Sequence, residues 1–116
     1  MAVVDDIDVR GASSRLEVAE TIGRLLDRPV TVGSDAEIVR IDDDVLVIMY
    51  TNADDPDEYI AEVRHWASDT LRYELAKRIY EALVDATDWA LRWWSDEHMH
   101  GDEPVATRDW PAGAQR

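Results

Sequence analysis

With 116 residues, of which 46% are hydrophobic, the chain has the material for one ordinary core, which excludes wholesale disorder. Its 26 Asp and Glu against 12 Lys and Arg leave a formal charge of −14, a field that repels nucleic acid and anionic membranes and draws basic partners in. The absence of cysteine excludes disulfides and thiolate metal sites, and the longest apolar run, Val45 to Tyr50, is far short of a membrane span. The opening Met1-Ala-Val-Val-Asp-Asp has neither a basic nor an apolar leader segment, so the expected compartment is the cytoplasm. A single domain over 1–116 is expected, with 1–12 and 111–116 fraying at its ends.

In chain order, the first clear element is a helix over 14–28. Ser14 and Glu17 have capping-box spacing, and Val18, Ile22 and Leu25 form one apolar face, with Ala19 and Leu26 beside them. Pro29 ends it, and Gly23 weakens it. Val30-Thr31-Val32 then reads as a short strand. Glu37–Ile41 and Val45–Thr51 flank Asp42-Asp43-Asp44, a turn of residues that bond their own backbone, and together they predict an antiparallel hairpin. Because Val45 to Met49 is apolar on both faces, that strand belongs inside the sheet.

Asn52 to Glu58 reads as a helix start, with Asp55 as N-cap, Pro56 at the first helical position and Glu58 at the third. Ile60, Val63, Ala67, Leu71, Leu75, Ile79 and Leu83 follow at steps of three or four. They predict a long helix over 56–84, with a second cap and a kink near 68–70. Residues 88–94 fit a continued helix or a strand with Trp89, Leu91 and Trp93 on one face. Similarity between Arg15–Ile22 and Arg72–Ile79 favours the strand, since it makes two duplicated helix–strand units. The tail from Gly101, with Pro104, Pro111 and Gly113, reads as loop. The expected fold class is α+β, a small antiparallel sheet packed against two or three helices.

Three groups of residues carry the functional expectations. His98 and His100, two apart, point to one side of an extended segment, and Asp96 or Asp102 completes a Zn²⁺- or Ni²⁺-binding set; the alternative is a solvated acidic turn. His65, Ser68 and Asp69 have triad residue types but, on a helix face, no cleft and no oxyanion donors. The acidic turns Asp42, Asp43, Asp44 and Asp54, Asp55, with Trp93 and Trp94, make an interface set. Acidic loops attract a basic surface, and adjacent tryptophans in one element cannot both point into one core.

No P-loop, dinucleotide fingerprint, nucleophile elbow or EF-hand spacing is present. The expectation is therefore a non-enzymatic, cofactor-free interaction module for a basic protein, most specifically an immunity-type or DNA-mimic inhibitor. Such a module binds neither nucleic acid nor membrane directly. The alternatives are a structural or homodimerising domain whose acidity is proteome-wide, as its single lysine, Lys77, suggests, and a small metal-binding protein centred on His98 and His100.

Overall fold

The structure is a computed structural model that describes residues 4–95 and 103–111. Its elements in chain order are β1 (Val4–Arg10), α1 (Arg15–Leu26), β2 (Val30–Val32), β3 (Glu37–Asp42), β4 (Val45–Asn52), β5 (Asp55–His65), α2 (Asp69–Ala86), β6 (Ala90–Ser95) and β7 (Ala106–Arg108). The strands form one sheet in the order β2-β3-β4-β5-β1-β6-β7, every neighbouring pair antiparallel. The fold is α+β, and among the described residues it has seven strands and two helices, a larger sheet than composition and periodicity predict. Neither helix is long and apolar enough to cross a membrane.

One face of the sheet makes the core. Ile7, Val9, Val39, Val47, Met49, Ala61, Val63, Leu91 and Trp93 meet Val18, Ala19 and Ile22 of α1 and Ala76, Ile79, Tyr80 and Leu83 of α2. Strand side chains alternate between faces, so Asp6, Asp8, Leu46, Ile60, Arg64, Arg92 and Trp94 point to the other side, which neither helix covers.

The helix starts behave as their residues dictate. Ser14 Oγ accepts from the Glu17 amide at 3.0 Å, satisfying one of the amides that helix geometry leaves unpaired, and the Glu17 carboxylate reaches back to accept from the Ser13 amide, just before the cap, at 2.9 Å. The end of α1 differs from the sequence expectation. It stops at Leu26, because Asp27 adopts a left-handed conformation (φ 55°) and the amides of Asp27 and Arg28 close on Arg24 and Gly23 carbonyls. Gly23 also does more than weaken α1. A Cβ there would lie 2.8 Å from Val30 Cγ2 and 2.9 Å from the Arg28 carbonyl, so glycine lets α1 lie directly on β2.

Three further expectations are corrected. First, Pro56 to His65 is strand, and α2 begins only at Asp69, with Ser68 as its N-cap. The stretch Tyr59 to Arg64 satisfies a period of two as well as one of 3.6. Pairing decides for the strand, because β5 lies between β4 and β1 and buries Ala61 and Val63 in the core. Pro56 is tolerated because the β4 register jumps from Thr51↔Tyr59 to Asn52↔Asp55, which leaves no ladder bond for its missing N–H.

Second, residues 4–10, expected to fray, form an inner strand between β5 and β6. Third, the segment after Gly101 contains β7, which pairs with β6. Residues 90–95 are strand, with Leu91 and Trp93 on the core face. The two helix–strand units are placed unequally: α1 leads to a three-residue edge strand, whereas α2 crosses β1 to an inner one.

Candidate functional site

The acidic turn predicted at Asp42–Asp44 is present, and all three carboxylates are exposed. Asp42 Oδ1 accepts from the Asp43 amide at 2.8 Å, the local bond that makes aspartate a turn former. Beyond the turn, β4 returns along β5 to the pair Val45↔His65. One residue further the ladder continues: the Trp66 amide donates to the Asp44 carbonyl at 3.0 Å. Residues opposed in this way place their Cβ atoms about 5 Å apart on the same side. Trp66 is therefore fixed beside the acidic turn with its side chain 55% exposed.

The loop after Trp66 is also fixed. His65 Nδ1 accepts from the amides of Ala67 (3.2 Å) and Ser68 (3.1 Å), and Ser68 Oγ accepts from the Leu71 amide at 3.1 Å. With its Nδ1 engaged by backbone, His65 works as a turn support at a strand end, and no His65–Ser68–Asp69 helix row exists. Leu71 in the first turn of α2 is 57% exposed, and Asp69 in the same turn adds a further exposed carboxylate. The result is a corner with an exposed indole paired beside an exposed acidic turn.

The other candidate residues lie elsewhere. Asp54 and Asp55 sit in the β4–β5 turn, at the far end of β4, whose eight residues rise about 27 Å. The Asp54 amide donates to Asn52 Oδ1 at 2.9 Å, and half-buried Asp55 is ion-paired with Arg10. The two acidic turns thus occupy opposite ends of the sheet. Trp93 is in the core, its ring 5.0 Å from that of Tyr73 and 5.8 Å from that of Tyr80. Trp94 faces the side away from the helices, half-buried, with Arg92 5.3 Å from its ring. His98, His100, Asp96 and Asp102 lie outside the described residues. Among the described residues no group of three or more His, Cys, Asp or Glu converges to hold a metal ion.

Much of the remaining charge is spent internally. Arg15 holds Glu37 through two bonds of 2.7 and 3.0 Å, and that hydrogen bond raises the Arg15 pKa above its ordinary value. Glu58 accepts from Asn52 Nδ2 at 2.6 Å and lies near Arg10 and Arg92. Arg92 is stacked 4.3 Å from the ring of Trp110. A groove of about 470 Å³ between α1 and the end of α2 is lined by Glu17, Thr21, Arg24, Leu25, Asp85 and Trp89; Glu17 is already engaged in capping, and no histidine borders it.

Sequence reasoning located the acidic turn and missed its aromatic neighbour. The helix predicted over 56–84 would enclose Trp66, and only the strand assignment of β5 puts it opposite Asp44. Comparison with known proteins finds no family model, no curated protein and no solved structure that matches the chain.

Proposed function

We propose that this chain is a non-enzymatic protein-binding module that docks a basic partner on the corner formed by Asp42–Asp44 and Trp66. One observation carries the reading: the backbone bond from Trp66 to Asp44, 3.0 Å, which fixes a residue with a 55% exposed indole next to a turn of three exposed carboxylates. Carboxylates on a rim accelerate encounter with a basic surface, and a tryptophan supplies desolvated contact area that keeps the complex together. The net charge of −14 extends the attraction beyond the corner. An immunity-type or DNA-mimic inhibitor is the most specific form of this activity, and its partner would present a basic surface around an apolar pocket.

The test is capture of partners on the immobilised chain at low salt, elution with salt, and kinetics with the eluted protein. Reversing Asp42, Asp43 and Asp44 to lysine should lower the association rate by about tenfold or more and flatten its salt dependence. Trp66→Ala should instead raise the dissociation rate. A captured protein that binds both variants as it binds the parent would sink the proposal.

A further inference from the structure

Among the described residues the exposed large apolar side chains form two groups, Trp66 and Leu71 on either side of the start of α2, and Leu16 (39%) and Val32 (64%) elsewhere. The second group has a common location. Gly23 of α1 abuts Val30, and Leu16 lies two helical turns earlier on the same face of α1. Arg15, its neighbour, is bonded to Ser34 and to Glu37, the residue opposite Val32. Leu16 and Val32 therefore share the border of the sheet along β2.

The backbone of that border is unpaired and uncharged. The Gly33 amide donates to the Ala36 carbonyl at 2.9 Å, and hydrogen-bonded and non-bonded pairs alternate along an antiparallel ladder. Thr31↔Ile38 is then the bonded pair, and the N–H and C=O groups of Val30 and Val32 turn outward. Natural edges are usually blunted by charge, proline or a bulge. The opposite edge, β7, is bracketed by Pro104 and Pro111, and its Arg108 side chain is tied to the Val84 and Trp89 carbonyls. Val30-Thr31-Val32 is equally short and follows Pro29, but its own three residues carry no charge, proline or bulge.

We infer that β2 is a homodimer edge: two copies join antiparallel about a two-fold axis at Thr31, continuing the sheet from one copy into the other. The strand is complementary to itself. With Thr31 opposite Thr31, the outward amides of Val30 in one copy meet the outward carbonyls of Val32 in the second, and the reverse. The flanks complement each other as well. Arg28 precedes the strand and is exposed, and among the described residues its guanidinium donates only to the carbonyl of Asp27, at 3.4 Å; Asp35 follows the strand and is exposed. Antiparallel pairing carries Arg28 of one copy toward Asp35 of the second. A two-fold interface demands this kind of self-complementarity, and the Leu16–Val32 patches then close against each other on the helix side.

The experiment is sedimentation velocity on the intact chain from micromolar to near-millimolar concentration, in high chloride so that the charge on each copy is screened. The parent should show a concentration-dependent monomer–dimer equilibrium. Val32→Pro removes an outward N–H and no bond to β3, and Leu16→Asp changes an exposed helix position, so both should fold as the parent does by far-UV circular dichroism. Each should raise the dimer Kd at least about tenfold. A parent that remains monomeric throughout overturns the inference, and so does either folded variant dimerising with unchanged Kd; if Val32→Pro does not fold, Leu16→Asp decides alone.

Discussion

At the residue scale, the adjacent tryptophans are explained by a pair of buried aspartates. Trp93 and Trp94 face opposite sides of β6, and each donates its indole N–H to an aspartate of β1, Trp93 to Asp5 at 2.9 Å and Trp94 to Asp8 at 3.0 Å. Each aspartate also accepts from an arginine Nε, Asp5 from Arg72 at 2.8 Å and Asp8 from Arg92 at 2.9 Å. Asp5 and Arg72 are both wholly buried, so each makes the other tolerable inside the protein. Removing one member leaves a charge in the core, and breaking such a pair costs about 3–5 kcal/mol. Asp5→Ala should lower the unfolding free energy by that amount in urea, whereas Asp69→Ala, which removes the exposed second partner of Arg72, should cost under about 1 kcal/mol. Equal costs would show that Asp5 is no anchor. Tyr80 gives a pH prediction. Burial raises its pKa above the ordinary 10.0, and Arg108 partly opposes the shift. The folded state therefore holds this proton more tightly than the unfolded chain. The stability it brings is complete below pH 10.0 and is lost as pH rises through the folded value. Melting temperature should fall more steeply above that pH in the parent than in Tyr80→Phe; parallel curves would refute this.

At the element scale, what was legible in the sequence is what local chemistry controls. The Ser14 cap, the Asp42 hairpin and the alternation of Leu91 and Trp93 against Arg92 and Trp94 need only neighbouring residues, and all three are present in the fold. What escaped depends on distant partners. Three carboxylates in six residues make Asp5 to Arg10 look solvated. Their partners Arg72, Arg92, Trp93 and Trp94 lie far along the chain and nothing local announces them. Likewise Tyr59 to Arg64 fits two periods, and only pairing to β1 and β4 selects the strand. The candidate site divides the same way, its acids local and visible, its Trp66 anchor hidden by the misassigned element. β1 is thus structural. It pairs with β5 and β6 and contributes Ile7 and Val9 to the core. Deleting residues 1–10 should abolish cooperative thermal unfolding and near-ultraviolet circular dichroism altogether. A shortened chain that still melts cooperatively would show that the sheet closes without β1.

At the scale of the whole molecule the governing quantity is the charge of −14. Many of the cations are already committed to particular carboxylates, as in Arg15–Glu37, Arg72–Asp5 and Arg92–Asp8, and the last two pairs are buried, where salt screens little. The surplus carboxylates lie at the surface, among them Asp42–Asp44, Asp54, Asp57, Asp85 and Asp88. Folding brings these like charges closer than they are in the expanded chain, and this repulsion is the part of the electrostatics that salt relieves. Raising sodium chloride from low concentration to about 0.5 M, where the Debye length shrinks to about 4 Å, should therefore raise stability. A gain of about 1 kcal/mol corresponds to about 3–6 °C for a domain of this size. The measurement belongs on Val32→Pro, so that self-association through β2 makes no contribution to the melting temperature. Chloride is the suitable salt, because sulfate also strengthens apolar burial. A melting temperature that falls with chloride would mean that the surface ion pairs outweigh the repulsion, and that the acidity at the Asp42–Trp66 corner is balanced locally and offers no surplus field to a basic partner.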